Sequence, residues 1–240
     1  MNLKLSILAT ILVFGSFNSF SQTDPQIVKK CNDFEIDGKG SGKEWDKAEW
    51  QTFTALMQAD PRHETKSKVI YSEKGIYVLF SGQDEKITTK DYKQFGEIYE
   101  GDVFEVFFHP KPGLPQYFEY EINHLGKELI LTLSRAKGGA VAWAPWDYEY
   151  NRRNLIKSKV NISGGKSKIG ASITSWTAEI FFPNAIFALM SGTPPQSGDT
   201  WNANFCRIDY DTGKPLEWSW SPGIKKSFHE LEQFRSIRFE

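Results

Sequence analysis

The chain has 240 residues, of which 40% are hydrophobic, 15% aromatic and 25% charged, and its formal net charge at pH 7 is −1. Because 29 Lys and Arg residues balance 30 Asp and Glu residues, the basic surplus of a nucleic-acid-binding protein is missing, and we expect no nucleic-acid partner. The aromatic share is high for a soluble globular protein, so some rings are candidates for a ligand surface.

Residues 1–21 have the pattern of a secretory signal peptide. Lys4 supplies the positive start, the apolar run 5–14 is too short to span a bilayer, and small residues precede Gln22. A buried N-terminal helix is the alternative. We expect cleavage after Ser21 and a protein secreted to the periplasm or the cell exterior, with no membrane segment after cleavage.

Strand patterns dominate residues 22–240, which we interpret as one domain. They lie at 68–84 (two strands around the turn SEKG), 103–109, 116–135, 157–183, 200–211 and 234–240. Many short strands separated by Gly and Pro turns predict an all-β antiparallel sandwich or barrel.

Only two stretches have a helical pattern, 46–57 and 184–190, and both are short. Residues 136–156 lack a strand period, so the sequence predicts a long loop there.

The strand 103–109 carries one charged residue in its middle. Alternate residues of a strand face the same way, so Phe104, Val106 and Phe108 share one apolar face. Glu105 lies on the opposite face among apolar neighbours, and a carboxylate at such a position needs a reason.

Sequence motifs of catalysis are weak. GKGSGK (38–43) lacks the spacing of a phosphate-binding loop, and Glu44 follows where Ser or Thr would be needed. The four histidines are dispersed, and no nucleophile elbow is present. Carboxylates are plentiful enough that a glycosidase-like pair stays open, although nothing singles one out.

Two cysteines, Cys31 and Cys206, lie near opposite ends of the exported chain. Export permits a disulfide between them, and two buried free thiols are the equal alternative.

The stretch WAPWDYEY (143–150) places Trp143 and Trp146 in the predicted loop, beside Tyr148 and Tyr150. Flat rings on loops often serve recognition, and they suit the apolar faces of sugar rings. The alternative is that the loop folds back and these rings pack against the domain.

Seven segments in order give the chain a resemblance to the family 9 carbohydrate-binding modules and their relatives in secreted bacterial proteins. They are EIDGKGSGKEWDKAEW (35–50), GIYVLFSGQD (75–84), GDVFEVFFHP (101–110), YFEYEIN (117–123), SWTAEIFFP (175–183), GDTWNANFCRI (198–208) and EWSWSP (217–222). The resemblance implies a jelly-roll-like antiparallel β-sandwich that binds plant-type polysaccharide of the xylan or cellulose class without hydrolysing it. It also implies structural calcium and partner enzymes that degrade polysaccharides.

In the sugar-binding members of this family, two tryptophans clamp a sugar. By the resemblance, their positions are Tyr99 and Phe228 here, and the glutamate that binds sugar hydroxyls is Glu105. The alternatives for Glu105 are a buried pair with an arginine such as Arg207, or a calcium ligand.

The chain departs from the family pattern in its polar residues as well. An arginine of the family aligns with Glu121, so His229 and Asn123 become candidate polar contacts, and the loop rings Trp143 and Trp146 become candidate platforms. Binding is expected to be weak.

The resemblance also suggests calcium ligands. Asp37, Asp84, Glu85 and Asp102 offer oxygen donors at loops or strand ends, although ordinary surface acids have the same pattern.

Two other functions stay open. Related sandwiches hold haem, for which Met57, Met190 and the four histidines are candidate ligands without a favouring spacing. The other possibility is a structural or interaction module whose sugar site has decayed.

Overall fold

The computed structural model describes residues 24–56, 63–135, 141–146, 155–191 and 194–240. The predicted signal peptide, 1–21, lies outside the described residues. The described part contains fourteen β-strands and only short helical turns, so the predicted all-β class is confirmed. Among these residues, no helix is long and apolar enough to cross a membrane.

The strands are β1 (Gln26–Lys30), β2 (Gln51–Thr52), β3 (Thr54–Ala55), β4 (Thr65–Tyr71), β5 (Gly75–Gln83), β6 (Val103–His109), β7 (Gln116–Asn123), β8 (Glu128–Arg135), β9 (Val141–Pro145), β10 (Lys157–Ser163), β11 (Ser175–Pro183), β12 (Thr200–Asp209), β13 (Leu216–Ser219) and β14 (Arg235–Phe239). The helical turns are of 3-10 type at Lys43–Lys47, Ile98–Glu100, Asn184–Phe187 and Leu231–Gln233, and of α type at Ala188–Ser191.

Two predictions of local structure are wrong. The helix predicted over 46–57 is replaced by the end of the Lys43–Lys47 turn and by β2 and β3. Both strands find sheet partners, β2 on β4 and β3 on β13, so long-range pairing overrides the local helical pattern. The long loop predicted over 136–156 contains β9, which pairs with β8. The stretch 184–190 is a 3-10 turn followed by one α turn.

The strands form one continuous, mostly antiparallel sheet. Its order is β10–β11–β5–β4–β1–β14–β12–β6–β7–β8–β9, with β2, β3 and β13 attached beside this path. β1 joins the two halves, because it runs parallel to β14 at its start and parallel to β4 at its end.

Side chains from the two halves of the sheet pack against each other in the main core. The Phe104 ring on β6 stacks on Phe80 of β5 with centroids 4.7 Å apart, and on Trp176 of β11 at 3.8 Å. Phe108 meets Phe182 of β11 edge to face at 5.6 Å. Each fully buried aromatic side chain stabilises the fold by about 1.5–3 kcal/mol, so the predicted inner face of β6 anchors this core.

The opposite face of β6 is covered by the C-terminal segment. Phe107 packs against Phe234 with ring centroids 5.8 Å apart, and Ile224 and Phe228 belong to the same buried cluster. Since β6 is buried on both faces, the position of Glu105 is fixed by the pairing of β6 with β7 and β12.

The two cysteines are free, so the disulfide alternative is wrong. Cys31 packs in a cluster with Trp45, whereas Cys206 of β12 lies in the cluster beneath the C-terminal segment. Burial raises the pKa of Cys31 to about 12 and that of Cys206 well above its ordinary value. Neither thiol is therefore a reactive thiolate at neutral pH.

Candidate functional site

A cavity of about 580 Å³ lies on the face of β6, β7 and β8 that points away from the main core. The segment 95–99, strand β9 and residues 226–229 form its walls. Its polar lining consists of Glu97, Tyr99, Glu105, Glu119, Glu121, Glu217, Lys226, Ser227 and His229, and its apolar lining includes Leu129, Leu131, Leu133, Trp143 and Phe228.

Strand alternation explains which side chains reach the cavity. Glu119 and Glu121 are two positions apart on β7, and the three leucines occupy every second position of β8. Glu105 on β6 lies directly opposite Glu121 in the antiparallel pairing. Three carboxyl groups are thereby brought together above an apolar floor.

These three glutamates are almost fully buried, each with at most 4% of its surface exposed. Burial raises the pKa of Glu119 to about 8 and those of Glu105 and Glu121 well above their ordinary value. Repulsion from Glu105 and Glu119 adds to the effect at Glu121, whose Oε2 atom has no hydrogen-bond partner. A protonated carboxyl can donate as well as accept, so the group suits a ligand rich in hydroxyls.

Three of the predicted ring positions line this cavity. Trp143 is 66% exposed, Tyr99 is 39% exposed, and Phe228 is 7% exposed, so the first two present open ring faces. The turn Ile98–Glu100 holds Tyr99, and the Tyr210 hydroxyl donates to its carbonyl at 3.2 Å. Trp143 stands on β9 opposite Leu133.

His229 also lines the cavity, as the sequence predicted. Its Nδ1 atom is 2.8 Å from the Tyr117 hydroxyl, and its carbonyl accepts a hydrogen bond from Arg135. Burial, assisted by the charge of Arg135, lowers the pKa of His229, so the ring is neutral at pH 7. A neutral imidazole serves as a hydrogen-bonding contact without adding charge.

Two predicted contacts lie elsewhere. Asn123 ends β7, and its side-chain oxygen accepts from the backbone N–H groups of Leu125 and Lys127, both at 3.0 Å. Trp146 is only 6% exposed and packs edge to face on Phe118 in the main core, so its prediction as a sugar platform is wrong. The physical reason is the backbone bond from Trp146 N to Ile130, which extends the β9 pairing and turns this ring inward.

The predicted calcium ligands lie in three places, one of which is the group that Glu85 forms with His63 and Asp211. Asp84 and Asp102 lie with His124 in a buried group whose donor atoms are within 4.8 Å of one another. Asp37 instead caps the turn 38–41, where its Oδ1 accepts from Lys39 N at 2.7 Å.

Other protein groups already engage the donor atoms of this buried group. Asp84 Oδ2 already accepts from Arg207 at 3.0 Å and lies 3.0 Å from His124 Nε2. Both carboxyl oxygens of Asp102 accept backbone N–H groups, from Thr88 at 2.6 Å and Tyr210 at 2.7 Å. The Arg207 guanidinium already lies between Asp84 and Asp209, and the His124 nitrogen departs from the all-oxygen set that Ca²⁺ prefers.

Arg207 faces the main core, away from the cavity, so it is not the partner of Glu105. Its Nη2 atom also donates to Asp209 at 2.5 Å, and it is completely buried. The alternative of a Glu105–Arg207 pair is therefore wrong, because adjacent residues of β12 point to opposite faces.

The arrangement of the described histidines does not support the haem alternative. His63 contacts Asp209, His124 contacts Asp84, His109 contacts the Leu114 carbonyl, and His229 contacts Tyr117. Met190 lines a separate pocket beside Trp146, and Met57 lies outside the described residues.

Sequence reasoning missed three carboxyl groups of the cavity, Glu97, Glu119 and Glu217. The spacing Glu119–Tyr120–Glu121 carried a usable signal, because residues two apart on a strand share a face. Glu97 and Glu217 reach the cavity from two chain segments that are far apart in sequence. The pattern of a single strand cannot predict that such segments meet.

The chain is similar to a known family over part of its length. Residues 36–129 match the family model described as carbohydrate family 9 binding domain-like. No curated protein sequence matches the chain.

Three solved structures share the fold. A proposed carbohydrate-binding protein from Bacteroides uniformis ATCC 8492 has 20% identity and a TM-score of 0.70, covering 90% of this chain and 99% of that one. A family 9 carbohydrate-binding module from Caldicellulosiruptor kristjanssonii in complex with glucose has 10% identity and a TM-score of 0.59, covering 90% and 96%. A structure of a family 9 module from the same organism with cellotriose has 12% identity and a TM-score of 0.57, covering 90% and 94%. The predicted family resemblance is thereby confirmed: residues 36–129 match the carbohydrate family 9 binding domain-like model, and the chain shares its fold with two family 9 modules.

Proposed function

We propose that this protein is a secreted, non-catalytic carbohydrate-binding protein. The observation that carries the proposal is the cavity, which combines the open ring faces of Tyr99 and Trp143 with the carboxyl groups of Glu105, Glu119 and Glu121. Flat rings stack on the C–H faces of sugars, and carboxyl groups bind hydroxyls, so both halves of a sugar-binding site are present.

The similar structures support a carbohydrate ligand. Those modules are in complex with glucose and with cellotriose. We infer a short stretch of plant-type polysaccharide, of the xylan or cellulose class, as the ligand of this chain. The ring faces contribute about 0.5–1.5 kcal/mol each beyond area burial, which corresponds to weak binding, with Kd of about 10⁻³ to 10⁻⁵ M.

The remaining parts of the proposal concern architecture and context. The ring contacts between the two halves of the sheet support a jelly-roll-like β-sandwich over 22–240. Export follows from the pattern of residues 1–21. A binding protein of this kind would support polysaccharide breakdown by partner enzymes. Calcium at Asp84 and Asp102 stays a prediction that the donor chemistry disfavours.

The test is sugar binding by two tryptophan variants. We expect the purified protein to bind cello- or xylo-oligosaccharides in isothermal titration calorimetry, and Trp143→Ala to weaken binding about three- to tenfold through loss of one ring contact. Trp50→Ala is the matched control, because Trp50 is 37% exposed and packs near Lys66 and Lys68 outside the cavity.

Equal losses in the two variants would show that the cavity is not the binding site. Absence of binding to any oligosaccharide would favour the interaction-module alternative. Release of reducing sugar by the wild type, abolished in Glu105→Gln, would make the protein an enzyme.

A further inference from the structure

The cavity has a strong excess of carboxyl groups over basic groups. Five glutamates line it, at 97, 105, 119, 121 and 217, against one lysine, Lys226. An acidic cluster alone is common, but here Glu121 lines the cavity, and its buried Oε2 atom has no hydrogen-bond partner.

The protein does not supply counter-charges to the three deepest carboxyl groups. Within the described residues, no salt bridge joins Glu105, Glu119 or Glu121 to a cation. Arg135, the arginine beside His229, binds Glu232 at 3.0 Å. Like charges directly opposite on neighbouring strands destabilise a sheet. The Glu105–Glu121 pair therefore costs stability when both groups are ionised, unless a cation binds to them.

We propose that the cavity selects a sugar that carries a protonated amine, a hexosamine-type unit, over the same sugar with a neutral hydroxyl. This inference rests on the proposed function. An ammonium group offers three donors and one positive charge, which match several acceptor oxygens that form no salt bridge within the described residues. The rings of Tyr99 and Trp143 add to the match, because aromatic faces attract cations.

Proton release should accompany this binding. Glu97, Tyr99, Glu217, Lys226 and His229 are the other titratable groups that line the cavity. Cys206 of β12 lies opposite Glu105, and Tyr117 and Tyr210 interact electrostatically with Glu119 and Glu105 respectively. The other side chains that β8, β9 and β12 contribute are Leu, Trp, Pro, Val and Ile. Burial keeps the carboxyl groups protonated to higher pH, whereas a bound ammonium favours the ionised form. Affinity for the amine should therefore rise with pH above about 5 as long as the amine stays protonated.

The experiment compares two trisaccharides that differ only at C2. Cellotriose carries a hydroxyl there, the glucosamine trimer carries an ammonium, and the N-acetylated trimer serves as a neutral control. With the whole exported protein in calorimetry at pH 7, we expect the glucosamine trimer to bind about tenfold more tightly than cellotriose, because charge-assisted hydrogen bonds are about twice as strong as neutral ones.

A glutamine variant tests the residue assignment. Glu121→Gln should reduce this preference, measured as the ratio of the two affinities in the same variant, to about threefold or less. Glu73→Gln is the control, because it makes the same substitution in an exposed salt bridge with Lys30, and its preference should equal that of the wild type.

Three results would overturn the inference. Equal affinity of the wild type for the glucosamine trimer and cellotriose contradicts it while leaving the proposed function intact. An equal loss of preference in Glu73→Gln and Glu121→Gln would assign the effect to net charge. If none of the three sugars binds, the proposed function fails as well.

Discussion

Replacing Arg207 by methionine should be among the most damaging substitutions in this fold. The side chain is completely buried, and its Nη2 atom donates to Asp84 at 3.0 Å and to Asp209 at 2.5 Å. Its Nη1 atom donates to Thr65 Oγ1 at 3.1 Å and to the Gln83 carbonyl at 2.5 Å. Methionine fills much of the volume but satisfies none of these acceptors.

The expected loss follows from the carboxylates left behind. Breaking a buried ion pair by removing one partner typically costs about 3–5 kcal/mol, since the remaining charge is uncompensated. Here Asp84 and Asp209 would both lose their cation, with buried Asp102 beside them. We expect Arg207→Met to lower the free energy of unfolding by about 3–5 kcal/mol at pH 7, measured by urea denaturation.

The pH dependence gives a second readout. Burial raises the pKa of Asp209, but the hydrogen bond to His63 and the charge of Arg207 outweigh it and hold the pKa below its ordinary value. Asp209 therefore stabilises the wild type above the ordinary pKa of a carboxyl, and this contribution is lost as pH falls. In Arg207→Met the aspartates take up protons more readily, so the difference between the two proteins should shrink towards pH 5.

Arg235→Met is the matched control for this experiment. Arg235 lies over the Trp220 ring at 4.1 Å, and within the described residues no carboxylate forms a salt bridge with it. Its replacement should cost about 1 kcal/mol. If Arg207→Met cost no more than Arg235→Met, the buried carboxylates would not need Arg207, and the reasoning would be refuted.

Three further outcomes are expected. Glu121→Gln should stabilise the protein by about 1–3 kcal/mol at pH 8 in urea denaturation and by little at pH 5. The reason is that burial raises the pKa of Glu121 in the wild type, so the wild type loses stability as pH rises above the ordinary pKa of a carboxyl group. The glutamine amide does not titrate, and its stability does not change in this way. The same stability difference at pH 5 and pH 8 would contradict this. Trp146→Ala should cost about 3–5 kcal/mol of unfolding free energy as a core cavity, whereas a cost below about 1 kcal/mol would place the ring outside the core. Chelation of calcium should leave the Tm unchanged, since Arg207 already joins Asp84 and Asp209; a fall of several degrees would show that an ion is bound.

The strand containing Glu105 shows how far sequence reasoning reaches. The bounds 103–109 and the division into an inner face of Phe104, Val106 and Phe108 and an outer face with Glu105 follow from a period of two, and the structure has both. The cavity above Glu105 could not be predicted from the pattern of one strand, because its walls come from segments more than 100 residues apart in sequence.

The stretch 46–57 and the two loop tryptophans show where local pattern failed. Residues 51–55 have helix-compatible spacing but pair with β4 and β13, and such partners are invisible to a local pattern. The sequence offered no reason to prefer Trp143 or Trp146 as a sugar-stacking ring. The two are three residues apart, so they point to opposite faces when the chain is extended as in β9. Their spacing could be read from the sequence, whereas the extended conformation of this segment could not.

The grouping of glutamates is the strongest reason to connect this fold to a ligand. Glu105, Glu119 and Glu121 occupy buried positions where glutamine or leucine would make the sheet more stable, because desolvation and mutual repulsion both act against the charged forms. In contrast, the buried carboxylates Asp84 and Asp209 share an arginine. Arg207 thus compensates the charges of the two aspartates, whereas the three glutamates line a cavity beside exposed rings. A stability cost left uncompensated at a cavity is the pattern expected of a binding site, since a ligand can supply the missing donors there.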